Sequence, residues 1–143
     1  MSTPQCKLVI NVDDKLQDIN VKEITRIDPL MINETLCENP ANIAYFGALH
    51  SRIKSAAEKQ EWYVKKCKAQ VGLVYRKDNP KMSNNYIEDL VGADEKVLEQ
   101  YEKLYSLRES ENILYSLVWA IIAQKEELIA LSANMRSEMR LAT

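Results

Sequence analysis

Hydrophobic positions along the chain fall into two long stripes of helical period, joined by a short punctuated stretch. In the first stripe Tyr45, Leu49, Ile53, Ala56, Tyr63, Val64, Cys67, Val71 and Val74 recur at three- and four-residue spacing, which predicts one amphipathic helix over Ala41 to Tyr75. The second runs from Glu95 to about Leu141 with no glycine or proline. Its apolar positions are Val97, Leu98, Tyr101, Leu104 and Tyr105, then Leu114, Leu117, Val118, Ile121, Ile122, Leu128, Ile129, Leu131, Met135 and Met139. Between the two groups lies a polar dip, Leu107 to Asn112, carrying Arg108, Glu109 and Glu111. It reads either as a polar layer fixing register between copies or, the preferred reading, as a solvated turn.

The remaining elements follow from local signals. Lys7 to Val12 is β-branched and partly alternating, which suits a short strand or an arm laid against another subunit. Asn20 can cap a short helix over Val21 to Arg26, and Asp28-Pro29 opens another to about Cys37. Asn39-Pro40 repeats that signal and is expected to start the long first helix. Asp78-Asn79-Pro80 ends it, because a residue before proline is biased away from helix. Ser83 caps a short helix to Val91, Gly92 breaks it, and Asp94 caps the last helix. The expected fold is all-α. Two long antiparallel helices are accompanied by short N-terminal and connecting helices, a possible N-terminal strand, and assembly into a homo-oligomer. One domain covers 1–143, in three parts: an N-terminal arm with short helices (1–39), a basic helix and loop (40–81), and a short helix with a long oligomerisation helix (82–143). The last stripe is wider than a small monomer covers, so Leu114, Leu117, Val118, Ile121, Ile122, Leu128 and Met135 are expected to carry self-association.

Composition changes little, but charge changes the picture. The chain carries a formal −2, yet residues 51–81 hold nine basic and three acidic side chains, +6, while 1–50 carry −3 and 82–143 carry −5. A charged partner feels that local segregation rather than the mean. Three cysteines, Cys6, Cys37 and Cys67, with no CxxC pair, read as reduced thiols. No signal peptide is visible in the first residues, and the longest apolar run, Ile113 to Ala123, is about half a membrane span. A cytoplasmic location with no membrane partner is expected, the host cytoplasm for a phage-encoded chain.

Candidate chemistry is sparse. The one histidine, His50, has no carboxylate or cysteine three or four positions away, and the chain holds no GxxxxGK[ST], GxGxxG or HExxH motif. We expect no catalytic residue, no metal and no cofactor. What remains is the basic helix, where Lys59, Lys65, Lys66, Lys68, Arg76, Lys77 and Lys81 are interleaved with Trp62, Tyr63 and Tyr75. Cations for phosphates beside aromatic planes for bases suit single-stranded DNA with little sequence preference. Trp62 is the ring expected to be free, since Tyr63 and Tyr75 lie nearer the apolar stripe.

From about Ile24 to Arg136 the chain resembles the phage UvsY family of recombination mediator proteins. The resemblance is carried by Ile27-Asp28, by Tyr45 and Leu49, by Lys68-Ala69 and by Tyr75-Arg76-Lys77. It is strongest in GADEKVL at 92–98, and continues through Ala120-Ile121 to Met135-Arg136. It implies a small, ring-like helical homo-oligomer that binds single-stranded DNA. Such a protein helps a RecA-like recombinase load onto DNA coated by single-strand-binding protein, touching both partners. A Lys-x-Arg pair is associated with DNA binding in that family. Lys68 matches its lysine, but Gln70 stands where the arginine would be, so Lys65, Lys66 and Arg76 are expected to carry the load instead. The competing expectation is a non-enzymatic helical adaptor or assembly scaffold with no nucleic-acid partner.

Overall fold

The computed structural model describes residues 7–12 and 15–143. The element order is β1 (Lys7–Val12), β2 (Lys15–Asn20), α1 (Val21–Ile24), α2 (Ile32–Asp78), α3 (Asn84–Ala93) and α4 (Glu95–Leu141), so the protein is mostly helical. It divides into two compact units, Met1–Ser51 with Ser110–Thr143, and Arg52–Glu109.

In the first unit, β1 is not a lone arm. It pairs antiparallel with β2, from Lys7↔Asn20 to Val12↔Lys15. The second strand escapes a propensity reading because Gln17, Asp18 and Asn20 are poor strand formers. A two-stranded hairpin is marginal alone, and this one buries Ile10 and Ile19, which share a face two positions apart in register. Asn20 then caps α1 as expected, its Oδ1 accepting from the Glu23 amide at 3.2 Å. Asp28 does not open a helix. Its Oδ1 accepts from the Leu30 amide at 3.0 Å, closing a turn, and α2 begins only at Ile32.

Nor does a helix start at Asn39-Pro40, for α2 runs through both residues. The cap signal fails because the Asn39 amide is drawn into the core. Its Nδ2 donates to the Ile121 carbonyl and to Gln124 Oε1, each at 3.1 Å. Pro40 lies on the exposed side, where water can serve the Leu36 carbonyl that proline leaves without a donor. Gln124 completes the network, donating from Nε2 to the Ile24 and Arg26 carbonyls at 3.1 and 3.0 Å and so tying down the chain after α1. Around this polar group pack Ile32, Phe46, Leu49, Leu114, Leu117, Ile121 and Leu128. Truncating Gln124 to alanine strands three buried hydrogen-bonding groups. We expect a loss of about 1–3 kcal/mol, read as a lower urea midpoint at unchanged slope.

In the second unit, 52–78 of α2 runs antiparallel to 95–109 of α4. Ala57, Val64 and Leu104 form one buried cluster, and Val71, Ile87, Val91 and Val97 form another with half-buried Cys67, Tyr75, Met82 and Tyr101 against them. Between these apolar steps Gln60 Nε2 donates to the carbonyl and Oε1 of Gln100, at 3.0 and 2.9 Å. The α2 core positions 46, 49, 53, 57, 60, 64, 67 and 71 keep a spacing of three and four, a coiled-coil-like seam. Relative to the sequence reading, the seam moves one residue at two places: Phe46 rather than Tyr45, and Ala57 rather than Ala56, is buried. Tyr63 and Val74 are exposed.

The C-terminal end of α2 falls at Asp78, where proline predicts it. Ser83 caps α3, its Oγ accepting from the Tyr86 amide at 3.3 Å. Gly92 breaks nothing: α3 continues to Ala93, and Asp94 opens α4 with its Oδ1 accepting from the Lys96 amide at 2.9 Å. The other oxygen of Asp94 accepts from the Tyr75 hydroxyl at 2.9 Å. That hydrogen bond, with lesser help from burial and the carboxylate's charge, pushes the Tyr75 phenol above its ordinary value. The polar dip is not a break either. The helix passes through it, Ser110 is buried, and Arg108 Nη2 pairs with Glu61 Oε2 of the same chain at 3.3 Å.

Candidate nucleic-acid interface

The second unit contains every residue expected to touch DNA. On α2, Lys59, Trp62, Lys66, Leu73 and Lys77 follow one another at three, four or seven residues, or multiples of a turn, and lie on the side away from Ala57, Val64 and Val71. All five are exposed. Lys65 and Lys68 lie on an adjoining flank, also exposed, and Lys81 stands in the turn after the helix. Between Lys59 and Lys77 the only acidic side chain is Glu61.

Where these charges go decides whether the helix can meet phosphate. Among the described residues, none of Lys59, Lys65, Lys66, Lys68, Lys77 and Lys81 is held in a salt bridge. Glu61 is four residues before Lys65 and ideally placed to neutralise it, but its carboxylate is engaged by Arg108 from α4. The cations instead rest against rings. Lys66 Nζ sits 5.2 Å from the centre of Trp62, Lys59 Nζ 5.9 Å from Tyr63, and Lys68 Nζ 5.6 Å from Tyr101, donating also to the Tyr101 hydroxyl at 3.2 Å. Cation–π contacts at exposed sites are worth about 0.5–1 kcal/mol each. They orient the ammonium groups without removing their charge.

Trp62 is the freest of the expected rings, at 56% exposure, and meets Tyr63 edge to face with centroids 5.2 Å apart. Tyr63 is also largely exposed, against expectation, because Val64 takes the core position beside it. Arg76 departs from its expected role. Its Nη1 donates to the Met82 carbonyl at 2.6 Å and its Nη2 to Asn84 Oδ1, so the guanidinium holds the turn between α2 and α3. That turn carries Lys81. Tyr101 and Tyr105 were read from sequence only as an apolar patch; the structure sets Lys68 on Tyr101 and stacks the two tyrosines.

The residues expected to carry self-association are split by the fold. Leu114, Leu117, Ile121 and Leu128 are buried within the chain's own first unit, so they are core and not a free seam. Val118 and Ile122 are half-buried. Met135 is exposed and lines a cleft of about 530 Å³ with Leu30, Ile32 and Met139. A second stripe on α4 stays open instead: Tyr115, Val118, Trp119, Ile122 and Ile129, spaced three, one, three and seven. His50 approaches Tyr115 at 5.8 Å, and Tyr115 meets Trp119 at 6.2 Å.

Among the described residues, no helix is long and apolar enough to cross a membrane, and no three His, Cys, Asp or Glu side chains gather as a metal site. Compared with known families, curated proteins and solved structures, the chain matches none of them.

Proposed function

We propose that this protein binds single-stranded DNA through the basic face of α2. In this reading it acts as a recombination mediator, helping a RecA-like recombinase onto DNA coated by single-strand-binding protein. The observation that carries the DNA reading is the set of lysines free of carboxylates, gathered around the exposed Trp62 on one helix. Counterion release drives such binding, and a ring beside the cations adds stacking on bases. The mediator role rests on the resemblance to the UvsY family. It needs no active site, only a stronger hold on the DNA shape that the recombinase prefers. In this proposal several copies assemble, in a ring-like manner, through Tyr115, Trp119, Ile122 and Ile129 rather than through the residues already spent on the core. Repeating the basic face around an oligomer raises its effective concentration along one strand.

The direct test is titration of a fluorescent oligo-dT strand at several salt concentrations. Affinity is expected to fall with a log–log slope of about 0.7 per phosphate contact, so four or five contacts give a slope near 3. An unshifted strand at low salt would favour a scaffold without a nucleic-acid partner.

A further inference from the structure

We infer that the DNA-binding face continues from α2 onto α4 within the second unit, with Tyr105 as a stacking platform for an unpaired base. This rests on the single-strand reading above and assigns it a site on the other helix.

Tyr101 and Tyr105 lie one turn apart on α4 with ring centroids 5.9 Å apart and planes 24° from parallel. Tyr101 is half-buried against the core and anchored by Lys68. Tyr105 is 66% exposed, although Leu104 beside it already fills the core position. The core therefore does not need this ring. A flat ring stacked on one side and open on the other offers a base the third place in a stack. Trp62 offers less, because its partner Tyr63 meets it edge-on at 68° and Lys66 stands over the indole.

The charges around Tyr105 set the direction in which a strand lies. On the α2 side Lys68, with Lys65 three residues before it on the same flank, supplies cations. On α4 the exposed Glu102 and Glu109 lie three residues before and four after Tyr105 and repel phosphate. A single strand placed with its phosphates over α2 and its bases turned toward α4 satisfies both. A duplex does not, since its base faces are already stacked within it. The occupant is thus a polynucleotide with unpaired bases, not a general polyanion.

The test compares Tyr105→Ala and Tyr105→Phe with the parent protein, on oligo-dT and on an abasic phosphodiester strand of equal length. Tyr105→Ala is expected to weaken oligo-dT binding about 5- to 100-fold. Tyr105→Phe should stay within about twofold of the parent, since the ring and not the hydroxyl stacks. The abasic strand should bind parent and Tyr105→Ala equally. Photocrosslinking of a 5-iodouracil strand should label Tyr105. Undiminished oligo-dT binding by Tyr105→Ala, an equal loss on the abasic strand, or crosslinks confined to Trp62 would each overturn this assignment and leave the α2 site standing. A parent protein that binds neither strand would overturn both.

Discussion

Replacing Lys65, Lys66 and Lys68 together with glutamate is expected to abolish single-strand binding while the protein stays folded. The three reversals take residues 51–81 from +6 to 0, because each changes the local charge by two. The term that drives binding then vanishes, and the phosphates meet a surface of mixed sign. The fold should tolerate the change, since all three side chains are exposed and none is in a salt bridge among the described residues. The one bond lost is that of Lys68 to the Tyr101 hydroxyl, on the order of 1 kcal/mol or less. Circular dichroism should report unchanged helicity, while fluorescence anisotropy should find no complex at a salt concentration where the parent is saturated. A folded triple variant with parental affinity would place the DNA elsewhere.

The second large effect concerns Ile121, and its sign depends on the fold. Ile121→Asp is expected to unfold the first unit, not merely to dissociate an assembly. The side chain has no exposure at all, and its own carbonyl accepts from Asn39. Truncating such a residue costs about 2–5 kcal/mol, and burying an unpaired carboxylate adds several more. Domains of this size are held by only about 5–15 kcal/mol. Thermal melting should therefore show the transition lost or displaced by tens of degrees. Trp119→Asp provides the contrast. Trp119 is exposed on the open stripe, so the charge meets water in a single chain and is costly only where another copy covers it. Helicity and melting of the monomer should persist, and light scattering should report a smaller mass. Full mass in the Trp119 variant, or a stable Ile121→Asp of reduced mass, would return the seam to the face first expected.

Much of the helical architecture is legible along the chain. The periods of both long helices, the stop at Asp78, and the caps at Asn20, Ser83 and Asp94 all depend on neighbours within a turn, which sequence displays directly. The cation segregation is equally visible, since charge is a property of residue type. The errors share one cause. Asn39-Pro40 has every local mark of a helix start, yet the Asn39 amide finds better partners eighty-two and eighty-five residues away. Gly92 sits in α3 because no turn is required there, and β2 exists because β1 lies beside it.

What the sequence by itself determined is the list of helices, the concentration of positive charge on one of them, and the scarcity of groups fit for catalysis. Only the tertiary structure decided how those charges and rings are spent. It gave Glu61 to Arg108 and so left Lys65 unneutralised; it committed Arg76 to a turn; it brought Lys68 to a pair of tyrosines on another helix. It also consumed Leu114, Leu117, Ile121 and Leu128 in the chain's own core. The physical reason is range. Helix propensity and capping act over about four residues, whereas the choice of partner for a side chain is settled by whatever the packed chain brings within a few ångströms of it.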